Sequence, residues 1–345
     1  MVVMEMLLGR PALAPTHEEL IAALAPPRAF ADASFDSYRP DHRFPSQVRA
    51  KEVLVACAAA STTEDRLRRF WRRSTGERSV GWYLDGGFGV GKTHLLAATF
   101  HAWRGRKFYA SFSELTSLVG ALSFKGALQL LQGATLLAID EFELDDPGDT
   151  VLISRLADEL LLGGTNLVVT SNTLPDRLGE GRFGADDFLR EIQGLARAFR
   201  VLSIEGGDFR RRSFAPDRVE SEIGSCPESA VQIELDVLLR QLRRVHPIRY
   251  RGVVQGLEAV AIQEARTIEL QSDALRFCRL VDVLYDYGVA VHMQGGGELG
   301  SLFPESFLAG GFRQKYGRCL SRLYELARVE AASIQRNGEG GPRSA

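Results

Sequence analysis

Eight consecutive residues, Gly86-Gly-Phe-Gly-Val-Gly-Lys-Thr93, have the types and spacing for phosphate chemistry. They meet every defined position of the phosphate-loop pattern G-x-x-x-x-G-K-[ST]. Glycines without a Cβ let the backbone curl close to an anion, and the N–H groups of such a loop form a concave nest. A helix starting at the loop's end adds the positive end of its dipole. Lys92 can reach the β- and γ-phosphates, and Thr93 offers a hydroxyl to Mg²⁺. The nucleotide-contact set is therefore Gly86, Gly87, Phe88, Gly89, Val90, Gly91, Lys92 and Thr93. His94, read as a helix residue rather than a catalyst, closes it.

A second cluster lies downstream. Ala134-Thr-Leu-Leu-Ala-Ile-Asp140-Glu141 is an apolar run ending in two acids. Asp140 is placed to hold Mg²⁺ with Thr93, and Glu141 to orient or deprotonate a water attacking the γ-phosphate. Asn172 ends the run Thr165-Asn-Leu-Val-Val-Thr-Ser-Asn172. It reads as a sensor of the γ-phosphate or as a plain strand cap. Phosphoryl transfer also gains from an arginine, often supplied by a neighbouring subunit. Arg182 and Arg190 follow the sensor strand; Arg182 is taken as the candidate, against a surface reading for each. Arg210 can contact phosphate or brace the domains. Asp145, Asp146 and Asp149 precede or cap a helix.

These residues need elements to position them. Val80–Leu84 is a strand feeding the loop, and His94–Phe100 a helix leaving it. Lys107–Ser111 reads as a strand, Ser113–Leu122 and Thr150–Leu162 as helices, Asp187–Phe199 as a helix and Arg200–Ile204 as a last strand. Alternating strands and helices make a parallel α/β sheet, whose ligands sit at the carboxyl ends of its strands. Gly86–Thr93, Asp140/Glu141 and Asn172 all fall at such ends.

Outside that core the pattern loosens. Residues 1–45 read as a Pro-rich arm containing one short helix capped by Thr16 with Glu19. Residues 46–215 form the phosphate-loop core, 216–335 a smaller C-terminal α/β domain, and 336–345 a disordered tail. Ser46 is a candidate cap for the helix from Pro45. Gln47 either hydrogen-bonds adenine or is an exposed first-turn residue. Arg66–Arg73 mixes arginines with aromatics, either to grip an anion or as the solvated face of a helix. In the C-terminal part, Val231–Leu235, Leu257–Gln263 and Val289–Met293 read as strands, and Asp273 caps a helix ending at Gly288.

Composition bounds the rest. The 345 residues are 45% hydrophobic and 25% charged with a formal net charge of −2, so no global basic field points to nucleic acid. Four separated cysteines fit buried thiols in a reducing compartment better than a disulfide frame or zinc site. Met1–Leu8 lacks a basic leader region, and no apolar run approaches a membrane span. A cytoplasmic protein is expected, with any membrane role peripheral.

The chain resembles the ZapE-type AAA+ ATPases, bacterial cell-division ATPases with mitochondrial relatives. The resemblance is carried by Trp82–Thr93, Leu137–Asp146, Leu167–Asp176, Asp208-Phe-Arg210, Phe277–Asp286 and Ser321-Arg-Leu323. Two departures stand out: Val90 replaces an arginine, and the arginine-rich stretch around Arg182–Arg190 is altered. The resemblance implies an ATP- and Mg²⁺-dependent hydrolase that oligomerises with ATP and remodels a protein partner, such as a division-ring component. A nucleic-acid-dependent ATPase of the helicase-loader kind shares the same motifs. So does a small-molecule kinase, although Glu141 beside Asp140 favours water as acceptor.

Overall fold

The computed structural model describes residues 16–61, 81–87, 89–142, 147–172, 197–207, 229–295 and 299–338. Phe88, Arg66–Arg73, Asp145, Asp146, Arg182, Arg190, Asp208–Arg210, Cys226 and the stretch 339–345 lie outside these, as does most of the span 187–199 expected to be helical. The chain divides into two units, one of residues 20–217 and one of residues 1–19 with 218–345.

The first unit begins within helix α1 (His17–Ala23), followed by α2 (Pro45–Ala59). The α1 start carries the expected capping box: the Glu19 amide donates to Thr16 Oγ1 at 3.2 Å and the Thr16 amide to Glu19 Oε2 at 2.7 Å. Helix α2 starts differently from expectation. Phe44 is its N-cap, Pro45 supplies a pre-set φ at the first turn, and Ser46 Oγ instead accepts the Glu205 amide at 3.0 Å.

Next come β1 (Gly81–Asp85), α3 (Lys92–Ala102), β2 (Lys107–Ser111) and α4 (Phe112–Leu131). Then follow β3 (Leu136–Asp140), α5 (Pro147–Leu162), β4 (Asn166–Ser171) and β5 (Phe199–Ser203). Helix α4 starts with a second capping box, between Ser111 and Glu114, and breaks at Ser123, where φ is 64°.

The five strands form one parallel sheet in the order β2-β3-β4-β1-β5. Their ends are in step: Asp85 pairs with Ser171 and Ser203, and Ser111 with Asp140. One edge of the sheet therefore releases the loop after β1, the acids after β3 and the tip of β4 side by side. The chain runs outward from β1 to β2 at the far edge, then returns through β3 and β4. Right-handed crossovers put α3 on one face of the sheet and α4 and α5 on the other. The α3 face buries Leu84, Tyr109, Leu136, Ala138 and Val168 against Leu95 and Leu96 of α3 and Leu54 of α2. Strand alternation extends that face to Asp140 beyond Ala138, and to Thr170 beyond Val168.

The second unit has a parallel sheet of β6 (Val231–Glu234), β7 (Ala259–Ala265) and β8 (Ala290–Gly295), ordered β6-β7-β8. Helices α6 (Leu235–Arg244), α7 (Tyr250–Val254), α8 (Gln271–Tyr287), α9 (Glu305–Leu308) and α10 (Arg313–Gly338) accompany it. Leu238, Leu242, Tyr250, Phe277, Val281, Tyr316 and Cys319 lie in its core. Gly288 ends α8 in the left-handed conformation, φ 64°, as its position after the last apolar residue implies. The expected Asp273 cap is corrected: Leu270 is the N-cap, and Asp273 is buried one turn in, accepting from Arg243 Nε at 2.7 Å. An acid in a first turn suits the helix dipole in either role.

Candidate active site

Lys92 and Thr93 open α3 behind Gly91, whose left-handed backbone (φ 89°, ψ 20°) turns the loop into the helix. A Cβ on Gly91 would stand 2.6 Å from Tyr38 Cε2, so closeness to that ring and positive φ both require glycine. Gly86 is constrained by packing, since a Cβ there would lie 2.3 Å from the Ile204 carbonyl oxygen. The loop is thus seated on the segment after β5, an attachment continued by the Ile204 amide donating to Asp85 O at 2.7 Å.

Lys92 is only 8% exposed. Its ammonium donates to the carbonyls of Gly86 and Gly87 at 2.6 and 2.7 Å and to Asn172 Oδ1 at 2.9 Å. Two backbone carbonyls and a side-chain amide oxygen thus accept from the buried ammonium. The same contacts bring Asn172 to the phosphate loop: β4 lies between β1 and β3, so its tip sits between the loop and the acids.

Asp140 is buried, and four donors surround its carboxylate. Oδ1 accepts from Thr93 Oγ1 at 3.2 Å, Thr170 Oγ1 at 2.5 Å and the Glu141 amide at 3.2 Å; Oδ2 accepts from Tyr109 OH at 2.9 Å. Burial pushes the Asp140 carboxyl above the usual aspartate range, and the neighbouring Glu141 charge adds to this. The hydrogen bonds from Thr170, Tyr109 and Thr93 work in the opposite direction.

Glu141 has φ 51°, an uncommon conformation for a non-glycine residue. Such backbone costs on the order of 1–3 kcal/mol and persists where its surroundings fix it. Thr170 does so from both sides: its Oγ1 accepts the Glu141 amide at 3.0 Å, and its carbonyl accepts the Phe142 amide at 2.7 Å. Phe142 is fully buried, edge-on to Phe112 and Tyr83, which anchors the chain just after the acid.

Three contributors were not singled out in the sequence, Tyr38, Tyr109 and Thr170, and Gln47 makes contacts the sequence did not show. Tyr38 is 6% exposed and donates from its hydroxyl to the Val90 carbonyl at 3.2 Å. Burial pushes its phenol up to about 12, so it remains a donor at ordinary pH. Gln47 is buried, not an exposed first-turn residue. Its Oε1 accepts the Asp41 amide at 2.8 Å and its Nε2 donates to Glu205 O at 2.9 Å. Both ends of its amide engage backbone, bracing the loop's support.

Two residues of the contact set point elsewhere. The His94 ring does not face the Lys92–Asp140 cluster: its Nε2 lies 3.0 Å from Ser37 Oγ and 3.1 Å from Ser34 O, and the ring packs beside Phe30 and Tyr38. One turn into α3, its side chain emerges on the face covered by residues 30–38. Val90 is 5% exposed, and a Cβ on Gly206 would stand 3.0 Å from its Cγ1. Its side chain is a core plug, leaving only its backbone to face a phosphate.

Among the described residues, no helix is long and apolar enough to cross a membrane. Cys57, Cys278 and Cys319 are free thiols.

The glycine loop, acid-tipped strand and interposed amide strand agree with what comparison by sequence finds. A family model described as AFG1-like ATPase matches residues 14–247 and 230–335. The chain belongs to this family. Membership in the AFG1-like ATPases makes it an ATP-binding ATPase. Among relatives, the cell division protein ZapE of Escherichia coli K12 is 25% identical over 321 residues, covering 77% of this chain and 83% of that protein. The lactation elevated protein 1 homolog B of Danio rerio is 23% identical over 292 residues, covering 67% and 58%. Among solved structures, AMPPCP-bound DnaA from Aquifex aeolicus overlaps 52% of each chain at 17% identity and a TM-score of 0.38. The DnaC helicase loader overlaps 51% of this chain and 99% of its own at 22% identity and 0.35. Both overlays are partial, and the fold of this AFG1-like ATPase rests on its own strand order and registers.

Proposed function

We propose that this AFG1-like ATPase hydrolyses Mg²⁺-ATP at the carboxyl edge of its first sheet and uses the cycle to change its grip on a protein partner. What supports the reading most is that consecutive residues at the start of α3 engage both neighbouring strand ends: Lys92 holds Asn172, and Thr93 holds Asp140, which in turn accepts the Glu141 amide. Lys92 and the loop amides of residues 86–94 would bind the β- and γ-phosphates. Asn172, already hydrogen-bonded to Lys92, would pass to the γ-phosphate when Lys92 does. Glu141 would take the proton of the attacking water, a role worth roughly 10²–10⁴-fold in rate.

The residues also fit a magnesium ion. An octahedral ion with ligands at about 2.1 Å spans roughly 3 Å between adjacent ligands. Thr93 Oγ1 and Asp140 Oδ1, two hard oxygens, stand 3.2 Å apart. When bound there, Mg²⁺ would neutralise charge on the transferred phosphoryl group. Arg182 is the arginine we assign to a neighbouring copy's nucleotide, in a homo-oligomer assembled with ATP.

Residues 46–215 would be the motor and 216–335 the partner-reading domain. The similarity to ZapE makes a division-ring protein in the cytoplasm, near the membrane surface, the partner of choice. The test is capture by the Glu141→Gln variant, loaded with ATP or ADP and offered a purified division-ring protein and single-stranded DNA. Retention of the protein with ATP but not ADP is expected. Retention of DNA alone, or turnover stimulated by DNA with a steep salt dependence, would overturn the reading.

A further inference from the structure

We propose that Thr170 is a positioning residue for hydrolysis, setting the backbone conformation from which Glu141 acts; this rests on the assignment of Glu141 as base. Three hydrogen bonds converge on this one residue of β4. Its hydroxyl donates to Asp140 Oδ1 at 2.5 Å and accepts the Glu141 amide at 3.0 Å, while its carbonyl accepts the Phe142 amide at 2.7 Å. The hydroxyl has one proton and gives it to the acid, so its lone pairs remain for the amide. Thr170 is 2% exposed, so no solvent competes for either contact.

The geometry decides what the hydroxyl does. Glu141 sits at φ 51°, where an L-residue rarely rests, and both peptide N–H groups flanking that torsion donate to Thr170, the first shared with Asp140 Oδ1. Released, the residue relaxes toward ordinary backbone and its carboxylate leaves the position fixed by the turn. Tyr109 provides a contrast, because its hydroxyl proton goes to the other carboxylate oxygen, Asp140 Oδ2. Asn172 lies two residues beyond Thr170, immediately after the end of β4. The end of β4 and the residue after it therefore contact the acid pair through Thr170 and Lys92 through Asn172. A nucleotide that draws Asn172 from Lys92 pulls on the strand that holds Glu141.

The test compares Thr170→Val, which keeps the shape and removes the hydroxyl, with Thr170→Ser, which keeps it. Thr170→Val is expected to lower kcat at least about tenfold with KM and Mg²⁺-free ATP affinity within about threefold, the pattern of a lost transition-state interaction. Thr170→Ser should stay within about threefold of wild-type kcat, because the hydroxyl is restored. In a Glu141→Gln background, Thr170→Val should change the residual turnover less than about twofold, because the two residues act as one unit. A purely structural role would instead make the two losses independent. Wild-type kcat in Thr170→Val beside an inert Glu141→Gln overturns this inference alone. Full turnover in Glu141→Gln removes the underlying assignment. Should Thr170→Val fail to fold, Thr170→Ala is read by the same split. Should that fail too, Thr170→Ser at less than a tenth of wild-type kcat overturns the inference.

Discussion

Removing one oxygen from Tyr38 is expected to loosen the phosphate loop from a position 52 residues upstream in sequence. The Tyr38 hydroxyl donates to the Val90 carbonyl at 3.2 Å, and its ring lies where a Cβ on Gly91 would go. A trans peptide points its C=O and N–H in opposite directions. Pinning the Val90 carbonyl toward Tyr38 therefore commits the Gly91 amide to the other side of the loop, and Phe at this position lets that peptide rotate. Losing a buried hydrogen bond and leaving its carbonyl unsatisfied amounts to about 1–2 kcal/mol. If all of it acts on the loop, ATP affinity falls roughly 5- to 30-fold. The same energy lowers the melting midpoint by about 2–4 °C per kcal/mol for a unit of this size. Because Tyr38 has no contact with Asp140 or Glu141 among its hydrogen bonds, kcat at saturating ATP should hold while KM rises. Isothermal titration and steady-state turnover on Tyr38→Phe check this together. A melting shift with ATP affinity within twofold of wild type would refute the loop-pinning argument and leave Tyr38 as ordinary core.

Three further outcomes follow from the geometry. Gly86→Ala should abolish ATP binding, measured by titration, because its Cβ would stand 2.3 Å from the Ile204 carbonyl oxygen, and backbone cannot step aside cheaply. Asp140 titrates above the ordinary aspartate range, from burial first and Glu141 second. Its contribution to folding is therefore present below the unfolded value near 3.9 and lost as pH rises through the folded value. Mg²⁺ takes the ionised form and must displace this proton, so Mg²⁺ affinity measured by titration should begin to fall at a pH above the ordinary aspartate range; an affinity that holds down to ordinary aspartate pH would contradict this. Asp282 in the second unit behaves oppositely. Burial alone would raise it, but Arg322, Arg318 and Arg279 outweigh burial and hold it low. Its stabilisation is full above the unfolded value and lost as pH falls through the folded one. Asp282→Ala, by removing the buried carboxylate that faces the partly buried Arg322, should cost about 3–5 kcal/mol in urea unfolding.

The chemistry-bearing residues were legible because they act near their own places in the chain. A glycine loop between strand and helix, two acids at the end of an apolar run and an amide after another buried run each have local signatures. Parallel topology then aligns their strand ends, as Ser111 opposite Asp140 and Asp85 opposite Ser171 illustrate. The supporting residues were not legible, because their meaning arises only across the fold. Gln47 reaches Glu205 over 158 positions, Tyr109 reaches Asp140 over 31 and Thr170 reaches it over 30. Each is an ordinary helix or strand residue in its local window. Asp273 shows the related difficulty that one helix-start pattern serves two structures. An acid in the first turn reads as a cap, yet here it is buried in an ion pair with Arg243. His94 and Val90 show the limit of a motif: membership in the loop fixes where the backbone goes, while the side chains follow the neighbouring packing.

The central claim is that Lys92 holds the nucleotide while Glu141 is needed only to break it. Calorimetric titration of Mg²⁺-ATP, paired with phosphate release, on wild type, Lys92→Ala and Glu141→Gln tests it directly. Glu141→Gln should bind as wild type does and release phosphate at least about a hundredfold more slowly; Lys92→Ala should take up no ATP. Undiminished phosphate release by either variant, or equal loss of binding in both, would contradict the account.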